Sequence, residues 1–240
     1  MNTILQTWGL TKTYGTVKVL DSVTMTVPKG SIYGFVGKNG SGKTTLMRIV
    51  AGLVFPSGGE FGLYGQTRKA GIPAMRKRMG AVIETPAIFS NMTARDNLKA
   101  QCHIIGCDGS RIDGVLKTVN LSNTGGKHAR NFSLGMKQRL GIAMTLIGEP
   151  DFLMLDEPTN GLDPEGIVEI RELILGLNKE RGVTVLISSH ILPELSKLAT
   201  HYGFIDRGRL LKEVEANELD YHHDGKLEGY FMDLIRVKIQ

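Results

Sequence analysis

Gly37-Lys38-Asn39-Gly40-Ser41-Gly42-Lys43-Thr44 fits the pattern G-x-x-x-x-G-K-[ST], and the rest of the chain is organised around it. A short apolar run, Ile32 to Val36, precedes it, and Leu46, Ile49, Val50 and Leu53 follow at helical spacing. Strand, tight loop and helix are therefore expected in that order. Glycines at 37, 40 and 42 let the backbone curl until successive N–H groups point inward, and the following helix adds its positive N-terminal end. Such a nest holds phosphates. Lys43 is placed to neutralise β- and γ-phosphates, and the hydroxyl of Thr44 suits Mg²⁺, so the expected ligand is a nucleoside triphosphate. For this motif alone, an ordinary glycine-rich turn before a helix is the plain alternative.

Residues 152–157, Phe-Leu-Met-Leu-Asp-Glu, are apolar at consecutive positions, as in a strand buried on both faces of a parallel sheet. That puts Asp156 and Glu157 at its carboxyl end, where ligands bind in open α/β sheets. Two adjacent acids are expensive to leave unpaired, and beside a phosphate loop Mg²⁺ is the fitting cation. Residues 158–164 read as a loop. The helix after it places Ile167, Ile170, Ile174 and Leu177 on one side and ends at Gly182. Thr184 to Ser188 is again a buried strand, terminated by Ser189-His190. Strand-like pieces near 202–206 and 209–214 are joined by Asp206-Arg207-Gly208-Arg209, a hairpin turn.

Upstream, Ile4, Gln6, Trp8 and Leu10 alternate on one face, and Val23, Met25 and Val27 do likewise, which predicts two half-buried antiparallel strands. Between them Lys12-Thr13-Tyr14-Gly15 reads as a turn carrying an exposed aromatic. Tyr14 could stack on an adenine, although an aromatic beside a turn is more often a small packing contact. Pro56-Ser57-Gly58-Gly59 breaks the chain, and Glu60 to Gly65 is another short strand. Gly80-Ala81-Val82-Ile83-Glu84 reads as a buried strand ending in a carboxylate, stopped by Thr85-Pro86. From about 88 to 149 the pattern turns mostly helical, with polar joints at 107–110 and 122–126, as in a helical insertion into an α/β core. Within it Ser133 precedes Leu140, Ile142, Ala143 and Leu146, an apolar helix face, and plain N-capping accounts for the serine. After Ala216 the patterning weakens, with one final short helix expected at 227–235.

The 240 residues suit one α/β domain with a subdomain or two small domains, and 41% hydrophobic with 22% charged residues is ordinary for a globular protein. A net charge of +5 permits nucleotides, acidic membrane surfaces or nucleic acid as partners without choosing among them. No apolar run reaches the roughly 18 residues that span a bilayer, and the N-terminus has no basic-then-apolar leader, so a cytosolic chain is expected. Cys102 and Cys107 are too few for a disulfide framework and agree with a reduced compartment. His222-His223 reads as solvated surface, because no Cys or acid is spaced to complete a metal site with them.

Taken together and in this order, the pieces closely resemble the ATP-binding subunit of ABC transporters over about residues 3–215. The resemblance is carried by Tyr14, the loop 37–44, Ser133-Leu134-Gly135-Met136-Lys137-Gln138, Phe152 to Glu157, Gly161-Leu162-Asp163 and His190. It implies a P-loop NTPase core with an antiparallel β subdomain and an inserted helical signature subdomain at about 88–149, within an ATP-binding domain over 1–215. Residues 216–240 are left as a C-terminal extension. It also implies ATP and Mg²⁺ as cofactors, and a head-to-tail dimer of identical subunits. Each ATP would lie between the phosphate loop of one subunit, Gly37 through Thr45, and Ser133, Gly135 and Met136 of the other, with Tyr14 on the adenine. The expected partners are integral membrane permease subunits and no nucleic acid, with the chain peripheral on the cytoplasmic face of the membrane.

Two features depart from the family's usual pattern. Glu84 stands where a glutamine usually follows the central strand; a carboxylate can bind Mg²⁺ directly but adds negative charge near the γ-phosphate. The signature reads Phe-Ser-Leu-Gly-Met rather than Leu-Ser-Gly-Gly-Gln, keeping the serine and one glycine. The pairing resembles the branch serving bacitracin resistance and lantibiotic self-protection. The resemblance implies Thr44 and Asp156, directly or through water, as Mg²⁺ holders together with Glu84, Glu157 as general base, His190 on the γ-phosphate, and Lys43 stabilising the transferring phosphoryl group. A soluble ABC-type ATPase working on ribosomes or DNA is the rival from another class. One cassette, and no sustained heptads between 84 and 133, disfavour it. A regulatory subunit with dead catalysis is disfavoured because Lys43, Asp156, Glu157 and His190 are all present.

Overall fold

A computed structural model of the chain describes residues 3–220 and 227–237; His222 and His223 lie outside the described residues. Strands β1 (Thr3–Tyr14) and β2 (Val17–Pro28) form an antiparallel hairpin, followed by β3 (Ile32–Val36) and helix α1 (Lys43–Ala51). Then come β4 (Gly58–Leu63), α2 (Ile72–Arg76), β5 (Met79–Val82) and the helices α3 (Ala94–Ile105), α4 (Ile112–Thr118) and α5 (Leu134–Leu146). The chain returns through β6 (Phe152–Asp156), α6 (Pro164–Arg181), β7 (Thr184–Ser189), α7 (Leu192–Leu195), β8 (His201–Asp206) and β9 (Arg209–Glu215). It closes on α8 (Ala216–Asp220) and α9 (Leu227–Val237).

One sheet has the order β5-β6-β7-β3-β8-β9, parallel except for β9, and the other has the antiparallel order β2-β1-β4. Alternation along the parallel strands explains why they read as unbroken apolar runs. Tyr33, Phe35, Phe152, Met154 and Leu186 enter a core shared with α1 and the antiparallel sheet. Their neighbours Ile32, Val36, Leu153, Leu155, Val185 and Ile187 enter a second core with the helices on the other side. Both faces are covered, so the middles of these strands are apolar and buried polar residues such as Asp156, Thr184, Ser188 and Ser189 stand at their ends.

The helical stretch between β5 and β6 holds α3, α4 and α5, with the polar joints forming 3₁₀ turns at Gly109–Arg111 and Ser122–Thr124. Helix α3 is closed at its start by a reciprocal cap: Thr93 Oγ1 accepts from the Asp96 amide at 3.1 Å and donates to the Asp96 carboxylate at 2.7 Å. Helix α5 is buried on more than one face, Gln138 to Ala143 consecutively, because it packs on β5 as well as on α3, α4 and α6. The single apolar face expected for it is too narrow a description.

Three further expectations are corrected. The alternating face of β1 is interrupted: Ile4, Leu5, Thr7 and Leu10 are buried while Gln6 and Trp8 are half-exposed, because the β1–β2 register shifts between Thr3 and Leu5 and again between Thr7 and Leu10. Lys12 to Tyr14 belong to β1, and the reversal is at Gly15-Thr16. The strand before Glu84 is not central but the edge of its sheet, which is why its burial alternates. The hairpin at 206–209 is as read, with Arg207 and Gly208 both at positive φ (46° and 78°), as a two-residue primed turn requires. The expected final helix is present as α9, two residues longer. Its Tyr230 and Phe231 rings lie 5.4 and 5.8 Å from that of Phe204 on β8. Among the described residues no helix is long and apolar enough to cross a membrane.

Candidate active site

Strand β3 delivers the chain into the loop 37–42, and α1 starts at Lys43. Gly42 has φ 109°, and a Cβ there would stand 2.7 Å from Leu20 Cδ2 and 2.9 Å from the Val19 carbonyl oxygen, so only glycine turns this corner. At Gly37 a Cβ would stand 2.5 Å from both Ser41 Oγ and the Ile205 carbonyl oxygen. At both ends the loop is packed too closely against Val19, Leu20 and Ile205 to admit a side chain, while Gly40 faces open space at the cavity. Lys43 is 4% exposed, and its Nζ donates to the carbonyls of Gly37 (2.7 Å) and Lys38 (3.2 Å). Ser41 Oγ is buried with no partner within the described residues. A buried hydroxyl without a partner can turn its hydrogen to a bound anion, and leaving it unpaired costs about 1–3 kcal/mol.

Asn39 through Thr45 line a cavity of about 540 Å³ with Glu84, Asp156 and Glu157. Asp156, 4% exposed, accepts from Thr44 Oγ1 at 2.7 Å and from Ser188 Oγ at 2.6 Å. Register explains the second contact, since Asp156 and Ser188 are paired across β6 and β7. The Glu157 amide donates to Ser188 Oγ at 2.9 Å and the Ser188 carbonyl at 3.2 Å, holding Glu157 at φ 47°, a left-handed conformation costly for a non-glycine residue. Glu157 Oε1 lies 3.4 Å from Lys43 Nζ and Oε2 lies 2.9 Å from His190 Nδ1. Loop lysine, strand-end acids and histidine, distant in sequence, thus meet at one corner. With Nδ1–H donating to Glu157, His190 can reach an anion through Nε2–H only as the doubly protonated ring.

Glu84, at φ 62°, faces the same cavity, yet its carboxylate is 2.6 Å from Arg48 Nη2 on α1. Gln138 of α5 also lines the cavity, with its Oε1 buried and unpartnered. Gln138 was read only as part of the signature stretch, and neither Arg48 nor the bridging Ser188 was assigned a role in the site from the sequence. A serine two residues before a strand-end histidine was the available sign of Ser188; Arg48 had only its position one helical turn beyond Thr44.

The remaining candidates are not brought to this cavity within one chain. Ser133, Gly135 and Met136 form the start of α5, where Ser133 Oγ accepts from the Met136 amide at 3.2 Å, and they are absent from the lining although Leu134 is part of it. Tyr14 sits at the end of β1, 43% exposed, with Lys12 Nζ 4.8 Å from its ring centroid.

The donor set suits Mg²⁺. Thr44 and Asp156 present a hydroxyl and a carboxylate side by side, which is what a magnesium ion takes when substrate phosphates and water complete its shell. No dedicated cage of three or more His, Cys, Asp or Glu exists among the described residues.

Comparison with known proteins agrees with this geometry. The ABC transporter family model matches residues 20–160. The bacitracin transport ATP-binding protein BcrA of Bacillus licheniformis is 45% identical over 234 residues, 97% of this chain and 76% of that protein. The lantibiotic transport ATP-binding protein SrtF of Streptococcus pyogenes is 44% identical over 212 residues, 88% of this chain and 91% of that one. A solved ATP-binding subunit of an ABC transporter superposes with a TM-score of 0.83 at 25% identity, covering 97% of this chain and 99% of that one. The ribosome- or DNA-acting alternative finds no support among these relatives. With its cradle and acids lining one cavity and His190 bound to Glu157 beside it, the chain belongs to the ABC transporter family as an ATP-binding, ATP-hydrolysing subunit.

Proposed function

We propose that this subunit powers a separate integral membrane permease that exports antimicrobial peptides of the bacitracin or lantibiotic type, or gives immunity to them. The support is the identity to BcrA and SrtF together with Glu84 and the Ser-Leu-Gly-Met signature. The ATP-binding domain spans 1–215 with its helical subdomain at about 88–149, and 216–240 is an extension. The working form is a head-to-tail pair of identical chains on the cytoplasmic face of the membrane. There Ser133, Gly135 and Met136 of one copy meet the phosphates held by Gly37 to Thr45 of the other. Ser133 remains competent while capping its helix: its oxygen accepts from Met136, and its hydroxyl hydrogen is still available to a phosphate.

The observation that carries the chemistry is the placement of Glu157 between Lys43 and His190 beside the phosphate cradle. Thr44 and Asp156 would hold Mg²⁺, which supplies neutralisation of β- and γ-phosphate charge. Glu157 accepts the proton of the attacking water, His190 fixes the carboxylate and touches the γ-phosphate, and Lys43 exchanges its carbonyl partners for phosphate oxygens. Glu157→Gln is the test. The substitution keeps shape and removes basicity, so turnover should fall about 10²–10⁴-fold while ATP affinity is kept. Cells relying on the subunit and its permease for bacitracin protection should become sensitive. Hydrolysis at the unmodified rate would remove Glu157 from the mechanism, and protection without hydrolysis would remove the proposed coupling.

A further inference from the structure

The carboxylate at position 84 poses an electrostatic problem that the fold answers. Glu84, Asp156 and Glu157 all line the cavity that holds the phosphate loop, where a triphosphate brings further negative charge. Asp156 is offset by two hydroxyl donors, and Glu157 by Lys43 and His190. Glu84 has neither. Among the described residues its ion-pair partner is Arg48, at 2.6 Å. Arg48 stands on α1 four residues after Thr44, one helical turn further along, so the same rigid helix carries the hydroxyl that meets Asp156 and the guanidinium that meets Glu84. On the other side, Pro86 packs directly against Gly141 of α5, so the loop after β5 is held between α1 and α5.

We infer that Arg48 is a positioning residue for Glu84: its guanidinium holds the carboxylate against α1 and keeps its charge off the part of the cavity that receives the terminal phosphate. The inference rests on reading the Lys43 cavity as the triphosphate site. A glutamine at position 84 would need no such counter-ion, whereas a glutamate without one, its side chain 55% exposed, would repel the ligand across a partly solvated cleft. Arg48 therefore acts through Glu84 rather than on the nucleotide, and its effect should vanish when Glu84 carries no charge.

That dependence is what a double-mutant cycle reads. The dissociation constant of a fluorescent, slowly hydrolysed ATP analogue is measured across a Mg²⁺ titration on the complete chain. The forms compared are unmodified, Arg48→Gln, Glu84→Gln, the double variant and Arg48→Lys, each with its thermal midpoint recorded. Arg48→Gln should weaken binding about three- to fivefold and steepen its dependence on Mg²⁺, the upper part of the range expected for a partly exposed charge pair. In the Glu84→Gln background the same change should alter binding by less than about twofold, and Arg48→Lys should restore most of the affinity. An equal loss in both backgrounds would show Arg48 to be a plain attractive charge, and no loss in either would show that it positions nothing; both overturn the inference. Lys43→Ala is run alongside to separate the two failures. Nucleotide binding that survives Lys43→Ala removes the site itself, while binding lost in Lys43→Ala but indifferent to Arg48 removes only the role of Arg48.

Discussion

The corner made by the phosphate loop, Asp156, Glu157 and His190 and the exposed start of α5 at Ser133 to Met136 are built on opposite principles. At the corner Lys43, Thr44, Asp156, Glu157 and His190 are each tied by a side-chain contact to another part of the same chain, across more than a hundred residues in the Thr44–Asp156 contact. At α5 the serine caps its own helix, Leu134 is 48% exposed, and Ser133 is exposed beside it. The first region is complete in one chain. The second displays a helix N-terminus and a hydroxyl to the outside, which is useful only if something outside supplies the anion. Half of the proposed hydrolytic site is therefore intramolecular and half is a surface.

Two substitutions put that contrast at risk. Asp156→Ala should have the larger effect: it leaves the Thr44 and Ser188 hydroxyls without their acceptor and removes the carboxylate beside the loop. Turnover should fall by at least about 10²-fold and stability by about 1–3 kcal/mol, read by steady-state hydrolysis and urea melts. A form that still hydrolysed ATP at near-normal rate would mean the corner is not the catalytic half. Gly135→Asp should cost less and cost it differently. A carboxylate at the start of α5 opposes an incoming phosphate, so turnover should drop at least about tenfold, while dilute chain binds nucleotide within about twofold of normal. If Gly135→Asp weakened binding by the dilute chain, the surface half would be part of the single-chain pocket and the contrast would fail.

The same contrast explains what could be read in advance. The cradle was legible because its geometry is local: three glycines, a lysine and a threonine within eight residues specify a loop and a helix start whatever surrounds them. Asp156 and Glu157 were legible because a doubly buried strand must end in something polar at the sheet's carboxyl edge. Pairings set by register or by lobe packing were not. Ser188 reaches Asp156 only because β6 and β7 align them, and Arg48 meets Glu84 only because β5 lies at the sheet edge, where the chain leaves toward α3. The misjudged alternation of β1 has the same origin, since a register shift against β2 moves Leu5 and Thr7 inward and no periodicity within β1 announces it.

The smallest effect expected concerns Tyr14, which belongs to neither region. Its ring is 43% exposed, so it contributes little to the core, and Lys12 lies over one face. The opposite face is the one a base would use. Aromatic stacking contributes about 0.5–1.5 kcal/mol, so Tyr14→Ala should weaken nucleotide binding about two- to tenfold without lowering the thermal midpoint, and Tyr14→Phe should bind normally because the π-face is kept. A base stack reads flatness rather than hydrogen-bond pattern, so ATP and GTP should lose affinity equally in Tyr14→Ala. Unequal losses would mean that the ring takes part in choosing the base, and no loss for either nucleotide would return Tyr14 to a surface packing contact with Lys12.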